Sequence, residues 1–430
     1  MSLLGLTFTC MVTMYSEGVL GGLVSVIRRF SLQIGVGLLL RIGWMIIAAR
    51  PPSLEWADPW QYLQRARLTT DGRWGVAPAW PYGTGGPTSF LSVGYPSVVG
   101  GVARVTRLGP WHVALGLNLI ASLVLIIGVG VLAGRLSGWR AAAGAAWFVV
   151  FFPDLITATS IVMTELVAAA IIVSLALAVT RSAPVWWHTA VLVAAVVWIR
   201  PSLQLLLIAV PLVLWRCAGL RLAGKVVGLS ALLMFPLFWH STVRVGGGAG
   251  FTTATWVNIC EGAAADPATP RGEFGASSRC MSDGSGEAAW AEGAKAVAVD
   301  AIGDNPLRWI GLTPFRLWHS FEAGGWGIQV AQEWGHNLGP GRGPTIAFRV
   351  SQIGFIAVFV AGVLGVFRLR SNRQLHVLLL FAAVSLSGAL ITFGQPRFSL
   401  PTVLLALIPA AAARLTSGVA GGKALQEIPP

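Results

Sequence analysis

Charged side chains are scarce in this chain. Asp, Glu, Lys and Arg make up 11% of its 430 residues, where an ordinary soluble domain carries about 25%. With 55% hydrophobic residues and a mean hydropathy of +0.71, that scarcity excludes a soluble globular protein, a disordered chain and a collagen-like one. Lysine is nearly missing. Among 30 basic residues only Lys225, Lys295 and Lys423 are lysines, and the arginines stand between apolar runs instead of forming a basic stripe. The net charge of +13 therefore does not point to nucleic acid as a partner. The four cysteines lack metal-ligand spacing and the six histidines lack HExxH-type spacing, so no metal site is indicated by pattern. Of the N-terminal segment 1–29, the first 27 residues are apolar, without a basic cluster or a small-residue cleavage pattern, which argues against a signal peptide. Whether they form an extra helix or lie on the membrane is open at this stage, and Met11 or Met14 is an alternative start.

What the chain has in quantity is apolar runs. A helix needs about 20 apolar residues to cross a bilayer core. Candidate runs stand at Ser31–Ala49, Trp111–Ala133, Ala141–Phe152, Val162–Thr180, Trp186–Ile199, Ser202–Trp215, Val226–His240, Val350–Phe367, Val377–Phe393 and Leu400–Ala413. These ten predict an all-α polytopic membrane protein. The stretch Trp186–Trp215 reads as two spans broken at Arg200-Pro201, because Pro removes a backbone donor and clashes with the preceding turn. Cytoplasmic loops collect Lys and Arg, and ten spans with both termini in the cytoplasm put thirteen basic residues inside with only Glu17 and Glu427. The other fifteen acidic residues fall outside, beside sixteen basic ones, while Arg41 sits within the first span. The charge excess is thus mostly a statement of topology, and the carboxylates gather on one face.

Two outer segments, 50–110 and 244–349, exceed the roughly 15 residues of an ordinary connection. In the first, Asp58-Pro59 reads as a helix N-cap with Pro at the first helical position. Tyr62 and Arg65 follow one and two turns along the same face. The second carries Cys260 and Cys280 on the oxidising side, where a disulfide is expected, then a helical run Glu287–Ile302 and Asn305-Pro306. Between spans stand Phe152-Pro153-Asp154 through Thr164-Glu165, then Trp198-Ile199-Arg200-Pro201, and near the end Gln395-Pro396-Arg397-Phe398-Ser399-Leu400-Pro401.

The order of these motifs resembles that of GT-C glycosyltransferases, in the glycosyltransferase family 39 and aminoarabinose-transferase-like branch. The first loop has an Asp just after the first span, an aromatic-rich helix and the Gly94-Tyr95-Pro96 step. The later motifs resemble the family's acidic outer turn, its Arg-Pro step, its "NP" turn and its final "RF/Y-x-x-P". The likeness runs from about Arg41 to Pro401, in a single transmembrane domain spanning 30–430. Two departures stand out: the expected "GNNP" reads Cys260-Glu261-Gly262-Ala263-Ala264, and the first-loop Asp-Glu pair reads Asp58-Pro59.

The resemblance implies transfer of a sugar, hexosyl or pentosyl, from a polyprenyl-phosphate donor to a lipid, glycan or protein acceptor on the extracytoplasmic face, with inversion. It implies Asp58 as the catalytic base, Arg200 and Arg397 on the donor phosphate, and Tyr62, Arg65, Asp154 and Glu165 lining the substrate site. A lone carboxylate near hydrocarbon, such as Glu165, is costly and tends to be functional, while Arg41 is expected to pair internally. No cofactor is required by the sequence, although some members of the superfamily use a divalent cation held by outer carboxylates. Rival readings are a transporter or lipid flippase, which would favour ionisable residues within spans, and a ligase using a diphosphate-linked donor. The bias of Arg over Lys with abundant Ala and Gly suits a GC-rich bacterial genome, and hence a plasma-membrane, cell-envelope enzyme such as a mannosyltransferase.

Overall fold

A computed structural model describes residues 24–55, 57–78, 85–246, 250–265, 278–280, 286–321, 326–333, 342–392 and 394–417. Most of the 1–29 segment (residues 1–23) and both Lys423 and Glu427 lie outside them. The first half of the chain forms α1 (Ser31–Ala48), α2 (Asp58–Thr70), α3 (Gly94–Thr106), α4 (Pro110–Ser137), α5 (Trp139–Phe151), α6 (Pro153–Thr157), α7 (Glu165–Val179), α8 (Trp186–Ile199), α9 (Leu206–Ala218) and α10 (Leu220–Trp239). The second half forms α11 (Ala254–Ala263), α12 (Glu287–Asp304), α13 (Pro306–Gly311), α14 (Thr313–Ser320), α15 (Trp326–Glu333), α16 (Arg342–Arg368), α17 (Arg373–Ile391), α18 (Leu400–Thr402) and α19 (Ile408–Ser417). Among the described residues the β pairing amounts to one bridge, Val76 to Pro87.

Each of the ten apolar runs contains a helix, but length and hydropathy alone do not make ten crossings. Among the described residues six helices are long and apolar enough to span, or seven if the α5–α6 pair, bent by 57°, is one broken span. Glu165–Val179, Trp186–Ile199 and Leu400–Thr416 are apolar but shorter. The break at Arg200 is present: Arg200 is extended (φ −143°, ψ 90°) between α8 and the turn Pro201–Leu203. α16 begins at Arg342, so its first two turns fall within the segment 244–349 and precede the apolar stretch that hydropathy detects.

Reversals at one end of the bundle are tight because glycine permits them. Gly138 (φ +82°) joins α4 to α5, and Gly219 (φ +92°) joins α9 to α10, conformations that cost a side-chain-bearing residue dearly. The core is built from small and branched residues, such as Ala141, Ala145, Ala146 and Val149 on α5 and Ala410, Ala411 and Ala412 on α19, which let helix backbones approach. At Gly365 of α16 an added Cβ would stand 2.2 Å from the carbonyl oxygen of Ala410.

The bend between α5 and α6 leaves carbonyls of the last turn of α5 without helical partners. Arg41, fully buried in α1, fills that need by donating to Val149 O at 2.9 Å and Val150 O at 3.2 Å. Beyond the bend, buried Asn118 of α4 donates to the carbonyls of Thr159 (3.2 Å) and Ile161 (2.8 Å), and Trp44 of α1 to Ser160 Oγ (3.1 Å). These bonds fix the turn from which α7 begins, and with it Glu165.

The segments 50–110 and 244–349 lock together through a buried polar knot. Glu287, the first residue of α12, accepts from Thr88 Oγ1 (2.5 Å), Ser89 N (2.8 Å) and Thr253 Oγ1 (2.5 Å). Cys260 and Cys280 are joined as a disulfide, beside a stacked Phe90–Trp290 pair. Arg316 of α14 is also buried, which pulls its pKa down to about 10. It donates to Gly262 O (2.8 Å) and Leu390 O (2.9 Å), near the ends of α11 and α17.

Candidate active site

Four elements meet at one end of the bundle: the start of α2, the start of α7, the break after α8 and the segment 394–399. Their charged residues form one network. Arg397 Nη1 stands 3.2 Å from Asp58 Oδ2 and 3.3 Å from Glu165 Oε1. Arg200 Nη1 stands 3.1 Å from the same Glu165 oxygen. Glu165 is 2% exposed and Asp58 27% exposed at the side chain, so the network runs from a buried pivot to an accessible carboxylate.

Local sequence places each member. Pro59 starts α2 with a fixed φ, but the expected cap is not formed. Ala57 is the N-cap residue, Asp58 is the first residue of α2, and no side chain caps the helix. The Asp58 carboxylate turns instead to Arg397. Pro201 ends α8 and leaves Arg200 extended, where its Nε reaches Ser202 Oγ at 3.3 Å. Gln395 accepts from Arg397 Nε at 2.5 Å. Phe398 lies beside both guanidiniums, with ring centroid 5.5 Å from Arg200 Cζ and 5.8 Å from Arg397 Cζ. Burial pulls the pKa of Arg397 down, yet Glu165 and Asp58 outweigh it and hold the value above the ordinary one.

The Gly94-Tyr95-Pro96 step has a physical reason. A Cβ on Gly94 would stand 2.3 Å from Trp198 O, and Ser92 Oγ donates to that same carbonyl at 2.8 Å. This close approach fixes the end of α8 two residues before Arg200. Tyr95 is buried and packs edge-on against Tyr62, with centroids 5.4 Å apart. Burial, reinforced by Asp58 and Glu165, pushes the Tyr62 phenol above its usual range.

The structure therefore brings together Asp58, Glu165, Arg200 and Arg397, with Tyr62 behind them. Arg65, within electrostatic reach of Tyr62 and Asp58, donates to Leu91 O and Thr88 Oγ1, both at 3.3 Å, and so ties α2 to the stretch before α3. Asp154 is buried in the first turn of α6. Gln395, Phe398, Arg316 and Glu287 were not singled out from sequence. Gln395 and Phe398 carried a signal, since they flank Arg397 within its motif. Glu287 and Arg316 carried none, each reading as an ordinary charge at a helix start or in a helix.

A divalent cation does not fit this donor set. Any ion shared by Asp58 and Glu165 would take the place that Arg397 Nη1 fills. Among the described residues no three His, Cys, Asp or Glu side chains come together as metal ligands.

No protein-family model matches the sequence, and no curated protein matches it. Solved structures do. The archaeal oligosaccharyltransferase AglB from Archaeoglobus fulgidus, in complex with an inhibitory peptide and a dolichol-phosphate, is similar over 94% of this chain at 14% identity and a TM-score of 0.50. Its apo form is similar over 93% at 15% identity and 0.50. ArnT from Cupriavidus metallidurans bound to undecaprenyl phosphate is similar over 91% of this chain and 79% of its own, at 16% identity and a TM-score of 0.42. The chain spans about half the length of the oligosaccharyltransferases it matches, 52% and 53%. At such identities the likeness is one of fold: this chain is an α-helical membrane protein with a GT-C-like fold.

Proposed function

We propose that the protein is a glycosyltransferase that moves a sugar from a polyprenyl-phosphate donor to a hydroxyl or amine of a lipid, glycan or protein acceptor. The observation that carries this reading is an accessible carboxylate, Asp58, held 3.2 Å from a buried-side guanidinium, Arg397, in a GT-C-like fold. The similar oligosaccharyltransferase is complexed with a dolichol-phosphate, which supports a lipid phosphate as donor. The acceptor oxygen attacks the anomeric carbon while Asp58 takes its proton, a role that typically contributes 10²–10⁴-fold. The bond from the anomeric carbon to the phosphate oxygen breaks on the opposite face, inverting the centre. Its electron pair leaves with the phosphate, which gains one negative charge opposite Arg397 and Arg200. Tyr62 lines the site, Glu165 orients both arginines, and Arg65 and Asp154 support it from neighbouring elements. The loops bearing these residues face the extracytoplasmic side of a bacterial plasma membrane, with both termini in the cytoplasm. The lipid tail stays in the bilayer while the sugar reaches water.

A transporter is disfavoured by Arg41, the ionisable residue within the first span, whose guanidinium is committed to the backbone carbonyls of Val149 and Val150. A diphosphate-linked donor is the second reading, since the same two guanidiniums would face its leaving group. The deciding experiment offers purified protein in detergent a panel of undecaprenyl-phosphate and undecaprenyl-diphosphate sugars. Transfer from the monophosphate series, reduced at least 100-fold by Asp58→Asn at unchanged thermal unfolding, supports the reading. Full activity of Asp58→Asn overturns it.

A further inference from the structure

We propose that Arg397 is the built-in cation of this site: its guanidinium bridges Asp58 and Glu165 in place of a divalent ion, and that place opens to an ion when the side chain is shortened. The binding part of this proposal stands on geometry; its consequence for transfer rests on the function proposed above.

A single nitrogen, Nη1, lies within 3.3 Å of both carboxylates. An NH group of a guanidinium cannot ligate a metal, and it contacts both of the oxygens that a shared ion would have to approach to about 2.0–2.6 Å. The guanidinium is held there. Gln395 engages its Nε at 2.5 Å and the Phe398 ring lies alongside it. On the far side Glu165 is closed off by Arg200 at 3.1 Å. Two carboxylates and two guanidiniums give the network no net charge, so an added dication would meet two like charges within a few ångströms. Nor is the bridging cation conditional. Glu165 is 2% exposed, and a buried carboxylate without a counter-charge is strongly destabilising. Arg397 meets that need with a group that no chelator removes and that stays charged at every working pH.

Removing the guanidinium reverses each point. Arg397→Ala leaves Asp58 and Glu165 facing an emptied volume with two negative charges and one remaining partner, Arg200. That is an arrangement a hard cation with oxygen ligands and its own waters can fill.

The test uses full-length, tag-free protein in detergent with Mn²⁺ as the sole added ion. Bound ion is counted by electron paramagnetic resonance and stability is followed by thermal unfolding. The wild type is expected to take up no stoichiometric Mn²⁺ and to unfold at the same temperature with Mn²⁺ or with EDTA. Arg397→Ala is expected to unfold earlier, to bind one Mn²⁺ per chain and to recover several degrees on saturation. Adding Asp58→Asn to it should abolish the uptake. Stoichiometric Mn²⁺ on the wild type that disappears in Asp58→Asn overturns the proposal, as does a folded Arg397→Ala that binds none. Should Arg397→Ala fail to fold, Arg397→Gln replaces it, and the wild-type arm decides by itself. Neither readout involves sugar transfer, so a failed transfer assay would overturn the proposed function and leave this result standing.

Discussion

The guanidinium of Arg397 meets the carboxylate of Asp58 at 3.2 Å across a sequence separation of 339 residues. Nothing local announces the pair. Asp-Pro at a helix start is the ordinary signature of a cap, and the carboxylate leaves that role because a more favourable partner, a partly buried guanidinium, stands opposite.

The buried end of the network should bear more of the stability than the accessible end. Glu165→Gln removes the carboxylate that pairs with Arg200 and one of the two that pair with Arg397, at a site 2% exposed, and breaking a buried pair costs about 3–5 kcal/mol. Asp58→Asn, at a side chain 27% exposed, should cost under about 1 kcal/mol. Thermal unfolding of the two variants in one detergent checks the order, and equal destabilisation would refute it.

Glycine 94 should tolerate no side chain. The Cβ of Gly94→Ala would meet Trp198 O at 2.3 Å, and relief of such a clash typically costs about 1–3 kcal/mol. Because Trp198 leads into Arg200, transfer should fall as well. Gly101→Ala, in the same helix with nothing within 4 Å, is the matched control and should be neutral or slightly stabilising.

Tyr62 and Tyr95 should remain silent in an alkaline titration. Burial pushes both phenols above the ordinary value of 10.0. The folded protein therefore keeps two protons that the unfolded chain releases, and stability falls as pH rises above about 10. Ultraviolet tyrosinate absorbance at pH 11 in the folded protein should be the same for wild type, Tyr62→Phe and Tyr95→Phe. A smaller signal in either variant would count against the burial.

Orientation can be read from Cys217, an exposed free thiol at the end of α9. With Cys10 changed to Ser, a membrane-impermeant maleimide should leave Cys217 unlabelled in intact cells and label it after permeabilisation. Labelling of intact cells would invert the topology.

Helices were legible in the sequence because hydropathy is a local quantity. The number of crossings was not, since Glu165–Val179 and Trp186–Ile199 are apolar yet shorter than a bilayer core requires. At the site, Arg200 and Arg397 stood out through their neighbouring prolines, which mark helix breaks, and Glu165 through the cost of a carboxylate beside hydrocarbon. Arg65 shared a helical face with Tyr62, as expected, but spacing along a helix says nothing about which wall that face meets. Here it meets Thr88 and Leu91. Glu287 and Arg316 could not be found, because their partners are backbone and hydroxyl groups that any sequence supplies.

The bond from Arg41 to the end of α5 bears on how the chain enters the membrane. An arginine near the middle of a helix costs about 2.5–3.5 kcal/mol at insertion, and its acceptors, Val149 and Val150, are synthesised more than a hundred residues later. Within its own helix Arg41 reaches only the carbonyl of Gly37. Its other two acceptors come with α5, so α1 is made well before the bonds that settle it are available.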